Sequence, residues 1–327
     1  MRNDVVRQSS RLLLRLVVVM VAFFLACSNK LMADDTRLPA HFAESVMIGF
    51  MSDDGTREIS VRLARRPGEK RGEVWMSVAV AGSAWSVADD GFALSSPTAT
   101  PVKADNVTFE AHRKHQDISF RSVRRHGGAM QGEVRGGLRL LETRDPGPGP
   151  GQIPVNVDLR FKAGSAGFRV RGRWELTGEV EGDVTIDGHS YHFAGPGKWH
   201  EQTGPRAKFA PAFTYLNLEN RSVSLLAIGF KKRVAGYVLT QGKVLGVRSF
   251  TVDPQGMKSR HFKLMLSDRQ VIEGTAQTVQ RWSVPIEGQR RPGTSVIAET
   301  SLGRMTGSLN DWNPESHQTS NNRNHEQ

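Results

Sequence analysis

The strongest constraint on this chain is a rhythm with a period of two. From about residue 40 onward, short runs of alternating apolar and polar residues follow one another, separated by clusters of Gly, Pro, Asn and Asp. Glu58–Ala64, Glu73–Val80, Asp117–Val123, Val155–Phe161 and Gly167–Trp174 are examples. Such alternation places successive side chains on opposite faces of a strand. Asp54-Gly55 and Asp187-Gly188 each lie between two alternating runs, the strongest short-range signal for a tight hairpin. Helical periodicity is nearly absent. Many short strands at regular spacing indicate sandwiches or barrels. We therefore expect an all-β chain of two tandem antiparallel β-barrel or sandwich domains.

The segment Asp145 to Pro154 alternates Pro and Gly, which argues against a continuing ladder and reads as a linker. It predicts an N-terminal domain over 34–146, a linker over 147–154 and a C-terminal domain over 155–312. Residues 313–327 are polar and Asn-rich, so a disordered tail is expected there. At the other end, Arg2, Arg7, Arg11 and Arg15 precede the uninterrupted apolar run Leu16–Ala26. That run is too short to span a bilayer, which takes roughly 20 apolar residues. Residues 1–33 instead read as a signal peptide, cleaved either before Cys27, which would then be lipidated, or after Ala33. The expected location is the periplasm or cell envelope. Cys27 is the only cysteine, so the chain can form no internal disulfide and no cysteine-based metal site.

The formal charge is +11, but five basic residues and one acid fall within 1–33, leaving the remainder at +7. That charge is scattered and falls mostly at expected turns, which describes a solvated surface with some scope for association with anionic membrane surfaces. An exported chain without an aromatic-plus-basic motif is not expected to bind nucleic acid. No ligand spacing calls for a metal or a cofactor.

The chemistry concentrates in residues 187–219. Gly195, Gly197 and Gly204 frame a polar stretch containing Trp199, His200, Glu201 and Gln202, followed by Arg206. A histidine beside a carboxylate can orient or exchange a proton near neutrality. Neighbours on a regular strand face opposite ways, however, so a direct His200–Glu201 pair requires an irregular loop, which the glycines permit. On the next strand Phe213, Tyr215 and Asn217 share one face and Leu216 and Leu218 the other. An interior lined by the first set would suit an apolar ligand with a polar anchor; packing of Phe213 and Tyr215 in the core is the alternative. The candidates are His200, Glu201 and Tyr215 for catalysis, and Trp199, Gln202, Arg206, Phe213 and Asn217 for ligand binding.

The run from Val184-Thr-Ile-Asp-Gly188 through Tyr191, the glycine-bounded loop ending Thr203-Gly204-Pro205-Arg206, and the aromatic strand after it resembles the AttH-like superfamily. That group includes carotenoid 1,2-hydratase (hydroxyneurosporene synthase). The loop usually reads Gly-Tyr-x-Asp-His-x-Trp-Gly in the family; here Gly197 to Gly204 reverses the acid–histidine order and puts Thr203 in place of the Trp. The resemblance implies two lipocalin-like β-domains and a long apolar isoprenoid or lipid ligand. Two functions stay open. One is an enzyme that hydrates or cyclises an alkene by acid catalysis, through Glu201 or a protonated His200. The other is a carrier of a hydrophobic molecule with no chemistry of its own.

Overall fold

The computed structural model describes residues 41–92, 106–113, 116–124, 130–144, 147–164, 167–170, 172–205, 212–231, 233–240, 243–286 and 289–312. The segments expected to be a signal peptide, with Cys27, and a C-terminal tail lie outside them, as does Arg206. The strands are β1 (Phe42–Met51), β2 (Arg57–Arg66), β3 (Arg71–Val80), β4 (Ser83–Phe92), β5 (Asn106–Arg113), β6 (Gln116–Arg124), β7 (Met130–Arg144), β8 (Gly147–Ala163), β9 (Phe168–Val170), β10 (Arg173–Ile186) and β11 (His189–Pro205). They continue as β12 (Phe213–Glu219), β13 (Val223–Phe230), β14 (Arg233–Thr240), β15 (Lys243–Val252), β16 (Ser259–Leu266), β17 (Val271–Ile286), β18 (Gln289–Thr300) and β19 (Gly303–Trp312). A single 3-10 turn, Pro67–Glu69, is the only helical element among the described residues.

Strands β1–β11 make one curled sheet in the order β4-β3-β2-β1-β11-β10-β8-β7-β6-β5, with β9 beside β10. The pairs Trp85↔Glu142 and Ser86↔Leu141 join β4 back to β7 and close the curl. Strands β12–β19 form a closed eight-stranded barrel in sequence order. The fold is thus all-β, with two lipocalin-like parts in tandem. Each part has its own core. Val46, Ile48, Phe120, Phe161, Leu176 and Trp199 belong to the first; Leu216, Leu218, Leu225, Phe262, Leu264 and Val296 belong to the second. The turn at Asp187-Gly188 is the tight hairpin that its sequence predicts: both residues have positive φ, 48° and 83°, and Ile186 pairs with His189 across it.

The sequence places a linker over 147–154 and a domain boundary there. The structure puts these residues in β8, paired with β7 from Arg144↔Gly147 to Arg139↔Pro154. Strand β10 joins the other side of β8 only from Val155 onward. Residues 147–154 are therefore an edge, where a proline's missing N–H costs no ladder bond. The passage between the two parts falls between β11 and β12, so 155–205 belongs to the first sheet and not to a C-terminal domain.

Candidate functional site

The site begins with strand register. Across five neighbouring strands, Trp75, Arg62, Met47, His200 and Glu175 pair in succession, which makes one row perpendicular to β3, β2, β1, β11 and β10. A second row holds Ser77, Ser60, Gly49 and Lys198. A third holds Ser45, Gln202 and Arg173. Residues two apart on a strand share a face, so the three rows form one polar patch on a sheet whose opposite face is core. Such a patch assembles residues more than a hundred positions apart in the chain without any local motif.

Within the patch, His200 Nδ1 lies 2.8 Å from Glu175 Oε1. A carboxylate can only accept, so Nδ1 carries the hydrogen and donates it. Nε2 is then left as an acceptor, and it makes no hydrogen bond to any described residue. Burial pushes His200 below its ordinary range; Glu175 opposes this, while Arg62 and Arg173 reinforce it. The imidazole is accordingly neutral at pH 7. Burial alone would raise Glu175, but His200 and Lys198 outweigh it and hold the carboxyl down at about 2.

Lys198 Nζ donates to Asn217 Oδ1 at 3.1 Å and lies 3.3 Å from Glu219 Oε1 and 3.7 Å from Glu175 Oε2. Burial works against its charge, but Tyr237 and the two carboxylates hold it well above its usual value. Arg62 donates to Ser45 Oγ at 2.6 Å and to Gln202 Oε1 at 3.1 Å, and its guanidinium stacks 5.4 Å from the Trp75 ring. Burial lowers it to about 10, which still leaves it charged at neutrality.

Opposite this patch stands the outer face of the barrel. Leu216 and Leu218 point into the barrel core, so alternation turns Phe213, Tyr215, Asn217 and Glu219 outward towards the sheet. Between the two walls lies a cavity of about 620 Å³. Its lining joins the polar patch to an apolar surface that includes Phe50, Met76, Phe213, Leu226, Ile228 and Trp312. Burial keeps the Tyr215 hydroxyl protonated by raising its pKa.

A further carboxyl lines the same cavity. Glu58 on β2 accepts a hydrogen bond from Ser295 Oγ on β18 at 2.6 Å, tying the sheet to the barrel. Gln280 Nε2 in turn donates to Ser295 at 3.2 Å. No ion pair to a described residue supports Glu58. Burial pushes its carboxyl up to about 7, against the pull of the Ser295 hydrogen bond.

With this geometry in hand, comparison with solved structures shows an AttH-like fold. CghA superposes with a TM-score of 0.51 over 83% of this chain and 86% of its own, at 11% identity. A candidate AttH from Nitrosomonas europaea superposes with a TM-score of 0.51 over 86% of this chain and 95% of its own, at 9% identity. Likeness at such identity concerns the fold alone. No known protein family matches the sequence, and no curated protein does.

Residues 195–204 are not an irregular loop but part of the 17-residue strand β11, and alternation separates their side chains. His200 and Gln202 line the cavity. Trp199 and Glu201, both 0% exposed, face the core of the first sheet. There Trp199 Nε1 donates to Glu201 Oε1 at 2.9 Å, and the indole packs among Phe120 and Phe161. A Cβ on Gly132 would lie 2.3 Å from the Trp199 ring, so this glycine is required by close approach. Phe213, Tyr215 and Asn217 do line the cavity, but from outside the barrel, whose interior is filled. The partner of His200 is Glu175, not Glu201.

Glu58, Arg62, Arg173, Glu175 and Lys198 escape a sequence reading. Arg173 and Glu175 alternate with Trp174 and Leu176, a pattern identical to that of an ordinary solvent-facing strand. Only pairing with β11 reveals that their face is covered.

Proposed function

We propose that this protein binds a hydrophobic small molecule in the cavity between its sheet and its barrel. The observation that carries the reading is the cavity's composition: about 620 Å³, largely apolar walls, and a few convergent buried polar groups at His200, Glu175 and Lys198. Ligand sites generally have this size and make-up. The basic-then-apolar amino terminus supports a role outside the cytoplasm, in the periplasm or at the envelope, with Cys27 as a candidate lipid anchor.

The experiment uses a residue with room to grow. Gly49 lies on the cavity face, and a Cβ there would meet only Met47 Cε, at 3.9 Å. Gly49→Phe should fill the cavity while leaving the melting temperature nearly unchanged. Native mass spectrometry of protein purified from its host should show a bound lipid-like mass that the variant lacks, and added retinol should bind the parent but not the variant. Protein that retains no lipid and binds no retinol, or a variant that binds as well as its parent, overturns the reading.

A second reading, proton transfer to or from the bound molecule, is favoured by one specific feature. His200 is fixed by Glu175 in the tautomer whose Nε2 can accept a proton, the arrangement of a general base. Acid catalysis on an isolated alkene has less support. Glu201 faces the core, His200 is held neutral, and a carboxyl near 7, as at Glu58, is a weak acid for carbon. Base chemistry on an already acidic C–H or O–H suits these groups better. His200→Ala should then abolish turnover of such a substrate while leaving its retention within about threefold, a loss of less than about 1 kcal/mol.

A further inference from the structure

We infer that the molecule held in the cavity carries a carboxylate, seated against Arg173. The inference rests on the binding reading above and adds the chemical class of the ligand's polar end.

Three cations line the sheet side of the cavity, and two of them are already engaged. Arg62 donates to Ser45 and Gln202 and stacks on Trp75. Lys198 meets Asn217, Glu219 and Glu175. Arg173, half-buried on β10, lines the same space and makes no hydrogen bond or ion pair to any described residue. It is nonetheless close enough for its charge to be felt at Glu175, His200, Arg62 and Tyr215. A guanidinium on the cavity wall that no described acceptor occupies is open to an acceptor brought by a ligand. Its planar fork matches the two oxygens of a carboxylate.

The charge balance agrees. The cavity lining contains four cations, Arg62, Arg173, Lys198 and Arg233, against the three carboxylates Glu58, Glu175 and Glu219. Glu58, poised near neutrality, subtracts at most one negative charge, so the excess stays positive in either of its states. His200 adds no charge, because burial, reinforced by Arg62 and Arg173, keeps it neutral. A cleft with a positive excess, largely apolar walls and, on its sheet side, an arginine without a described ion pair favours an amphiphile with a single negative end. An uncharged lipid offers the Arg173 fork no anion to pair with.

Two ligands of matched shape test this on the mature chain. Retinoate and retinol share a body and differ in the head, and Trp75, Trp282 and Trp312 line the cavity as fluorescent reporters. At pH 8 and low salt, retinoate should bind at least about tenfold more tightly than retinol, the usual advantage of a hydrogen bond to a charged group. Arg173→Gln should bring retinoate down to the retinol level and leave retinol unchanged. Arg173→Lys should keep part of the preference. Equal binding of the two ligands by the parent protein overturns the inference and leaves the binding reading standing. So does an Arg173→Gln variant that weakens both ligands alike, since that would mark a structural role. If neither ligand quenches the tryptophans, the binding reading falls and this inference falls with it.

Discussion

The two faces of β11 share a backbone and differ in everything else. On one, Trp199 and Glu201 are sealed in the core of the first sheet, with aromatic rings around the indole and a hydrogen bond between the two. On the other, Lys198, His200 and Gln202 face the cavity and meet partners from β2, β10 and β12. Both faces bury polar groups. The difference is that the core face is complete in itself, whereas the cavity face leaves His200 Nε2 without a described partner. A buried polar residue is therefore not by itself a functional signal; what matters is whether its hydrogen-bonding capacity is already consumed.

The sharpest way to break that comparison is on the core side. Trp199→Ala should cost about 3–5 kcal/mol in urea unfolding, the usual range for emptying a large aromatic site. It should not change the relative affinity for different ligands. A loss below about 1 kcal/mol, or a selective loss of one ligand, would show that Trp199 is not the core residue described.

An intermediate effect is expected at Glu58. Its folded value of about 7 stands above its ordinary 4.5, so the folded state favours the neutral form. The associated stability is fully present below about pH 4.5 and is lost as pH rises through 7. Glu58→Gln lacks that loss. The variant should match its parent at pH 4.5 and exceed it at pH 8 by on the order of 3 kcal/mol. Parallel stability curves across this window would remove the buried carboxyl from the description.

The smallest effect belongs to His200. Removing it deletes one hydrogen bond to a buried carboxylate, about 1–2 kcal/mol at pH 7. Glu175, held at about 2 with the help of His200, contributes stability above its ordinary 4.5 and loses it as pH falls towards 2. His200 itself, held below 6.5, also disfavours the folded state once acid forces a charge on it. Both terms act the same way, so the gap between parent and His200→Ala should narrow on acidification. A gap that widens would contradict the pairing with Glu175.

How much of this was legible in the sequence follows from the range of each interaction. Alternation and the Asp-Gly turns are local, and they gave the strands and the all-β class. The same alternation correctly put Phe213, Tyr215 and Asn217 on one face, but not which side of the barrel wall that face is on. His200 was legible as a singular residue; its partner was not, because Glu175 lies 25 positions earlier on a neighbouring strand. The glycines at 195, 197 and 204 suggested a loop where the structure has a strand. Gly197 is required instead by contact, since a Cβ there would lie 2.4 Å from Val180 and 2.8 Å from the Gly49 carbonyl oxygen. The prolines at 147–154 do not mark a boundary, because one side of the strand is open there and a missing N–H costs no ladder bond.

The Glu58–Ser295 hydrogen bond crosses between parts of the molecule separated by 237 residues, and it lies on the cavity wall. Thermodynamic reciprocity then links two otherwise separate events. If an occupant binds more tightly to one protonation state of Glu58, the proton must bind more tightly to Glu58 when that occupant is present, and by the same factor. A carboxyl poised at about 7 converts that symmetry into a measurable quantity: loading the cavity at constant pH near neutrality should take up or release a fraction of a proton, and the sign of that exchange tells which state the occupant prefers.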